Sequence, residues 1–238
     1  MPSSPSEHAI ALTTVFDQDQ WAPADHAVAP VGLVLAAGAG RRLGQGPKAL
    51  LRINGAPLVV SVSSTLLAGG CSDVVVVTGA GAADATHVLA GQPSVRTVHN
   101  PSWVEGMGTS LRRGLQAIAP DRDVMVTPVD RPGITAAEVV RIIAAHRPGR
   151  ITAAAHQGPD GRLRRGHPVL FDARWCPAAS AAAHGDVGAK QLLREQGEML
   201  DLVDCSDLED GSDLDVPADL ARWVRSPIPA PASGGTGV

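Results

Sequence analysis

The sequence predicts an α/β fold in which a mainly parallel, doubly wound sheet lies between two layers of helices. Strand-like and helix-like segments alternate along the chain, and the runs 31–36 and 73–78 consist almost wholly of Val, Leu and other apolar residues. A half-exposed strand alternates polar and apolar residues, whereas a strand of a parallel sheet is covered on both faces. Repeated βαβ order with such strands is typical of a doubly wound sheet.

The individual elements follow from local signals. Strands are expected at 31–36, 73–78, 95–98, 123–127 and 151–155, helices at 57–68, 82–90, 107–118 and 135–146, and a turn at 158–161. The first helix has proline in its first turn and Gly69-Gly70 after its end. The last begins at Thr135, a favourable N-cap, with Glu138 placed for a capping box.

The loops that follow the predicted strands define where a ligand would bind. In doubly wound sheets ligands lie outside the carboxyl ends of the strands. The four loops of this kind, which should open toward one crevice, are 37–48, 78–82, 99–110 and 128–133.

Length and composition indicate one large domain with two tails. The chain has 238 residues, of which 44% are hydrophobic and 3% aromatic, so the core is expected to consist of Ala, Val and Leu. Residues 1–29 lack periodicity and are interpreted as a partly disordered extension, with Phe16 and Trp21 as docking points. The domain is expected at 30–225, followed by a flexible tail at 226–238.

Charge and cysteine usage narrow the function classes. The net charge of −4 does not favour binding to nucleic acid. No apolar run reaches the roughly 18 residues that a membrane span requires. The first Lys or Arg is Arg41, so a signal peptide is not expected. The three scattered cysteines are typical of reduced thiols, and a cytoplasmic protein is expected.

A glycine-rich loop with three basic residues follows the first predicted strand. Gly38-Ala39-Gly40-Arg41-Arg42 leads to Lys48, and such a loop can present backbone amides and cations to phosphates. Pro47 and Ala49 around the lysine exclude a Walker A motif. Leu43 stands where a dinucleotide fingerprint needs Gly or Ala. Taken alone, the loop fits a phosphate site or a plain strand-to-helix turn.

Two acidic segments are candidates for a metal site. Asp130 ends a buried strand between two prolines and could hold Mg²⁺, or could bond local amides in a turn. A phosphate loop at the same sheet edge favours the metal. In 207–217, Asp213 or Asp215 could supply a second ligand, although 215–219 also resembles a helix N-terminus.

Two further segments carry polar groups suited to a substrate. The helix start near 106–110 offers amides and hydroxyls to an anion, and Trp103 could stack or, as we favour, pack. His167 lies between the basic pair Arg164-Arg165 and an expected strand, and it could contact a substrate phosphate or make a structural hydrogen bond. Asp186 could cap a helix, and Lys190 could reach a phosphate or remain solvated.

These motifs together resemble a known family. The pattern L-A-A-G-x-G-x-R-[M/L]-G…K, followed by P-x-D-x-P, resembles the MobA-like nucleotidyltransferases. N-P-x-W-x-x-G-M-G-x-S-L at 100–111, G-H-P-V at 166–169 and G-D-x-G-A-[R/K] at 185–190 are similar to the branch that holds molybdenum cofactor cytidylyltransferase. The resemblance covers about 31–225 and includes neither tail.

The resemblance implies a Rossmann-like, nucleotide-diphospho-sugar-transferase-like fold in three α/β/α layers, and a role for each matching residue. Catalysis would fall to Arg42, Lys48 and Asp130; nucleotide binding to Leu35, Ala36, Ala37, Gly38, Gly40, Thr78, Gly79 and Asp130; substrate binding to Asn100, Gly106, Met107, Gly108, Ser110 and His167. Mg²⁺ would bind Asp130 with Asp213 or Asp215, of which Asp213 is preferred. Gln45-Gly46-Pro47 and Val216 depart from the family pattern without removing a charged group.

The implied reaction is Mg²⁺-dependent transfer of a nucleoside monophosphate to a phosphorylated acceptor, with release of pyrophosphate. CTP is the favoured donor, molybdopterin the favoured acceptor, and a molybdoenzyme a recipient of the product. A GTP-using molybdopterin guanylyltransferase, a non-catalytic nucleotide-binding module and an NAD(P)H-dependent oxidoreductase of the nicotine blue oxidoreductase type are the alternatives. The G-x-G start keeps the oxidoreductase open, whereas Lys48 and the paired acids argue against it.

Overall fold

One seven-stranded sheet forms the centre of the computed structural model, which describes residues 28–186 and 188–223. Its strands are β1 (Val31–Ala36), β4 (Asp73–Thr78), β5 (Val95–His99), β6 (Val124–Pro128), β7 (Ile151–Gln157), β8 (Leu163–Phe171) and β9 (Leu200–Asp204). A separate hairpin pairs β2 (Arg52–Ile53) with β3 (Ala56–Pro57). The order across the large sheet is β5-β4-β1-β6-β8-β7-β9.

Strand direction confirms the mainly parallel sheet. Only β8 runs against its neighbours β6 and β7, and the other strands share one direction. β8 returns beside β7 through the predicted turn at 158–161, and Gln157 pairs with Leu163. The sequence predicted a strand only after His167, because the first half of β8 contains Arg164-Arg165-Gly166 and lacks an apolar pattern.

The helices cover both faces of the sheet. They are α1 (Leu58–Ala68), α2 (Ala82–Leu89), α3 (Met107–Leu115), α4 (Ala136–Ala145), α5 (Cys176–Ala182), α6 (Lys190–Glu195) and α7 (Pro217–Trp223). The first four confirm the predicted helices. α3 ends before the expected residue 118, because Ile118 and the residue before it bond to carbonyls three residues back, which tightens the last turn.

The capping box predicted for α4 is only half made. The side chain of Thr135 accepts a hydrogen bond from the backbone N–H of Glu138 at 3.1 Å, as an N-cap should. The carboxylate of Glu138 is fully buried and lies 3.7 Å from the guanidinium of Arg131 and 3.2 Å from Nε2 of His156, away from the N-cap. Glu138 therefore has a tertiary role that the local pattern did not reveal.

Two apolar layers flank the sheet. Alternate residues of β1 point to opposite faces: Leu33 packs with α3, α5 and α6, and Val34 packs with α1 and α4. Each fully buried side chain of this size contributes roughly 1.5–3 kcal/mol of hydrophobic stabilisation. The three-layer α/β/α architecture expected from the sequence is confirmed.

The chain ends lie outside this description. Residues 1–27 and 224–238, which include Phe16, Trp21 and most of the two predicted tails, are outside the described residues, so the domain boundaries remain predictions. No helix among the described residues is long and apolar enough to cross a membrane.

Candidate active site

A cavity of about 400 Å³ opens at the carboxyl edge of the sheet. It is lined by the loops after β1, β5 and β6, as the loop positions predicted, together with residues from two later loops. The lining residues are Leu35, Ala37, Gly38, Ala39, Gly40, Arg41, Arg42, Lys48, Trp103, Val104, Gly106, Met107, Ser110, Pro128, Val129, Asp130, Asp186 and Asp215. The loop after β4 does not line it.

Lys48 and two carboxylates meet in this cavity. Nζ of Lys48 donates hydrogen bonds to Asp130 Oδ2 at 2.9 Å and to Asp215 Oδ1 at 2.6 Å. Burial alone would lower the pKa of Lys48, but the hydrogen bonds and charges of Asp215 and Asp130 outweigh it and raise this pKa above its ordinary value. The cavity therefore holds a fixed cation between two anionic groups that are 82 and 167 residues away in sequence.

The acidic loop places Asp215, not Asp213, at Lys48. The backbone N–H of Leu214 donates to the carbonyl of Asp130 at 2.8 Å and fixes the loop beside β6. Asp213 does not line the cavity. Burial of its carboxyl group away from water, followed by the negative charge of Asp130, raises its pKa to about 6. The helix-start interpretation of this segment is also confirmed, because Asp219 accepts from the N–H groups of Asp215 and Val216.

The glycine loop is held by its own backbone. Gly40 has φ of +63°, and a Cβ atom there would lie 2.0 Å from the carbonyl oxygen of Gly46, so only glycine fits. Its carbonyl accepts from the N–H groups of Leu43 and Gly44. Leu43 is buried in the core, which explains the apolar residue at the position where a dinucleotide fingerprint has glycine. Open space surrounds Gly38, so the loop backbone faces the cavity there.

The predicted substrate residues divide into two groups. Gly106, Met107 and Ser110 line the cavity. Asn100 is buried and its amide group donates to the hydroxyls of Thr109 and Ser110, so it supports the loop and borders a second cavity of about 430 Å³. The N–H of Gly108 donates to the carbonyl of Gly185 at 2.7 Å and is already used in packing.

Four other predicted residues, Ala36, Thr78, Gly79 and His167, do not line the cavity, and Ala36 is buried within β1. Thr78 is buried, and Gly79 lies under Trp103, whose Cγ would be 2.6 Å from an added Cβ. Trp103 thus packs, as favoured, while also lining the cavity. The carbonyl of His167 accepts from Arg131, and burial, followed by the charge of Arg131, lowers the pKa of its imidazole to about 4. His167 is therefore neutral at pH 7.

Sequence reasoning missed part of the site. Asp186 lines the cavity although only a capping role was suggested for it, whereas Arg41, which also lines the cavity, was among the three basic residues noted in the glycine loop. That capping role is wrong, because the N-cap of α6 is Ala189. The motif G-D-x-G-A-[R/K] at 185–190, which contains Asp186, was the available signal, and Gly185 packs against Gly106 at the cavity.

Potential metal-ligand groups form elsewhere as well. Among the described residues, two sets of three side chains bring their donor atoms within 4.8 Å of one another: Asp123–His146–Asp172 and Glu138–His156–Glu209. Neither includes Asp130, Asp213 or Asp215. The first set lies at the amino end of β6, and its Asp172 accepts hydrogen bonds from the backbone N–H groups of Gly149 and Arg174. In the second set the guanidinium of Arg131 lies beside both glutamates and supplies the positive charge.

The sheet order and the cavity at its carboxyl edge are typical of α/β proteins that bind small molecules there. The model of the MobA-like NTP transferase domain matches residues 32–200. The chain therefore belongs to the MobA-like NTP transferase family.

Several known proteins are similar to this chain. Nicotine blue oxidoreductase from Paenarthrobacter nicotinovorans is 44% identical over 195 residues, which are 81% of this chain and 95% of that protein. A nucleotidyl transferase from Methanothermobacter shares the fold, with a TM-score of 0.68, 24% identity and coverage of 81% and 94% of the two chains. Rv0371c from Mycobacterium tuberculosis H37Rv, solved in complex with manganese, has a TM-score of 0.62 at 25% identity, covering 82% and 98%.

Proposed function

We propose that this chain transfers a nucleoside monophosphate from an NTP, with CTP favoured, to a phosphorylated acceptor such as molybdopterin, and releases pyrophosphate. One observation carries the proposal: Lys48 is held between Asp130 and Asp215 inside a cavity bordered by the glycine loop. Membership of an NTP transferase family supports the donor class.

The basic residues of the cavity would receive the triphosphate. Gly38, Arg41, Arg42 and Lys48 all line the cavity, and Lys48 is less exposed than the two arginines. Amides and fixed cations stabilise the negative charge that develops on a departing pyrophosphate. Arg42 and Lys48 therefore act by neutralising phosphate charge and orienting the donor.

The two carboxylates fit a divalent ion. Asp130 and Asp215 each direct a carboxylate oxygen at the same cation, Lys48 Nζ. Mg²⁺ prefers carboxylate oxygens together with substrate phosphates, so the same two carboxylates could bind it. When bound, Mg²⁺ would neutralise charge on the transferred and leaving phosphates. The structure of Rv0371c with manganese supports a divalent ion in this family.

The chemical step needs no covalent enzyme intermediate. An oxygen of the acceptor phosphate attacks the α-phosphorus in line, a new P–O bond forms, and the bond from the α-phosphorus to the bridging oxygen breaks. The electron pair leaves with pyrophosphate. Positioning of both substrates and charge neutralisation supply the rate enhancement.

A second candidate function is NAD(P)H-dependent reduction. The observation that favours it is the 44% identity to nicotine blue oxidoreductase. A nicotinamide dinucleotide also carries a diphosphate that a glycine loop could bind. Hydride transfer does not require the Lys48–Asp130–Asp215 arrangement, which is why transfer is the proposed function.

A thermal-shift panel separates the two functions. CTP, GTP, ATP, UTP and NADPH are each added with and without Mg²⁺ to the wild type and to the Asp130→Asn variant. We expect Mg²⁺-dependent stabilisation by one triphosphate, about 2.7 kcal/mol at 100 times its Kd. The variant should lose the dependence on metal. Stabilisation by NADPH alone, unaffected by Mg²⁺, would contradict the transferase and support the reductase.

A further inference from the structure

Four ionisable side chains from four separate elements meet in a buried cluster next to the candidate active site. Arg131 follows β6, Glu138 belongs to α4, His156 belongs to β7, and Glu209 lies in the loop after β9. Their side chains are 1%, 0%, 6% and 8% exposed, respectively. We call this group the Arg131 cluster.

Opposite charges hold the Arg131 cluster together. Nε2 of His156 lies 3.2 Å from Glu138 Oε1 and 3.1 Å from Glu209 Oε1, and Arg131 Nη2 lies 3.7 Å from Glu138 Oε1 and also pairs with Glu209. Neither the Glu138 nor the Glu209 carboxylate accepts a well-aligned hydrogen bond from any described residue. Buried charges are costly unless they are paired, so removing one member leaves the others uncompensated.

The Arg131 cluster joins the two loops that carry the cavity carboxylates. Arg131 directly follows Asp130, and Glu209 precedes Asp215 in the acidic loop. The loop backbone also packs closely, since a Cβ at Gly211 would lie 2.7 Å from Nδ1 of His156.

The sheet order shows why such a connection is needed. β9 lies at the edge of the sheet, three strand positions from β6, with β8 and β7 between them. At about 4.8 Å per position, the acidic loop must return roughly 14 Å across the sheet to bring Asp215 to Asp130. The Arg131 cluster lies on this path, and so does the hydrogen bond from Leu214 to Asp130.

We propose that Arg131 and Glu209 are positioning residues that fix Asp215 relative to Asp130 and thereby set the affinity of the site for its divalent ion. They touch neither substrate nor metal and act through the two aspartates. The predicted effect on Mg²⁺ affinity rests on the proposed function. The predicted effect on the mobility of the acidic loop depends only on the loop contacts and can be measured without any metal.

The test compares Glu209→Gln with Asp207→Asn. Both variants replace one carboxylate of the same loop by its amide, but Asp207 is exposed and pairs with Arg141 outside the Arg131 cluster. We expect Glu209→Gln to raise the Mg²⁺ concentration for half-maximal NTP-dependent stabilisation about 10–100-fold. Asp207→Asn should leave it unchanged, and saturating Mg²⁺ should restore the response of Glu209→Gln. A loss of fold stability alone would not change the metal requirement of the folded fraction.

Hydrogen exchange at the Leu214 amide gives the independent readout. Glu209→Gln should accelerate this exchange, and Asp207→Asn should not. If Glu209→Gln does not fold, Arg131→Lys keeps the charge but loses the forked donor geometry and should show the same two effects, more weakly. Wild-type exchange together with a wild-type Mg²⁺ requirement would overturn the positioning role. A wild type without any Mg²⁺ response would contradict the proposed function, and the exchange comparison would still decide whether the Arg131 cluster holds the loop.

Discussion

Replacing Asp130 by Asn removes one charge from the cavity while keeping the shape of the side chain. Asp130 Oδ2 lies 2.9 Å from Lys48 Nζ, and the two side chains are 23% and 15% exposed. At an effective dielectric constant of about 20 the Coulomb attraction over this distance is about 6 kcal/mol. Desolvation offsets most of it, and Asp215 still holds Lys48, so we expect a net destabilisation of about 1–2 kcal/mol. For a domain of this size that corresponds to a decrease in Tm of roughly 2–8 °C.

The effect of Asp130→Asn on turnover should be much larger than its effect on stability. Loss of one group that stabilises transition-state charge typically lowers kcat by about 10²–10³-fold. Pyrophosphate release at saturating Mg²⁺ and NTP measures this loss, and a thermal melt of the same sample measures stability. Asp207→Asn serves as the control, because Asp207 lies outside the cavity. This variant should leave turnover unchanged and, through loss of the exposed ion pair with Arg141, lower stability by at most about 1 kcal/mol. Near-wild-type turnover of Asp130→Asn would refute the role assigned to this carboxylate.

Two further predictions concern the glycine loop and His167. Gly40→Ala should destabilise the fold by about 1–3 kcal/mol, because Gly40 has positive φ and an added Cβ would overlap the carbonyl oxygen of Gly46. Gly38→Ala is the control, since open space surrounds Gly38 and this variant should fold normally. Thermal melts compare the two variants. The pKa of His167 is lowered from 6.5 to about 4, so its contribution to stability is complete above pH 6.5 and is lost as the pH falls toward 4. Between these pH values the unfolding free energy of His167→Gln, measured by denaturant titration, should therefore decrease less than that of the wild type. Equal slopes of unfolding free energy against pH would contradict the lowered pKa of His167.

The part of the fold that local signals specify could be predicted from the sequence. β1 and β4 have uninterrupted apolar runs, and α1 and α4 have clear start and stop residues. The first half of β8 and the whole of β9 could not be predicted in the same way. β8 mixes arginines, glycine and proline with its apolar residues and becomes a strand because β6 and β7 pair with it on both sides. Tertiary pairing outweighs weak local propensity there.

The candidate site shows the same division. The sequence placed Lys48 and Asp130 in one cavity, because loops after parallel strands meet at one sheet edge. It preferred Asp213 over Asp215, since spacing alone does not show which acid of an Asp-x-Asp pair points inward. The Arg131 cluster had no local signature at all: its members are scattered over four elements, and Glu138 was interpreted only as a capping residue.

Pyrophosphate release tests nucleotidyl transfer most directly. The wild type is incubated with Mg²⁺, each NTP in turn and a phosphorylated pterin acceptor, and ³¹P NMR follows both pyrophosphate and the new diphosphate linkage. We expect one NTP, with CTP favoured, to give pyrophosphate and the nucleotide-linked acceptor in equal amounts, and the reaction to stop when Mg²⁺ is chelated. Absence of pyrophosphate with every NTP, together with oxidation of NADPH by the same sample, would contradict nucleotidyl transfer.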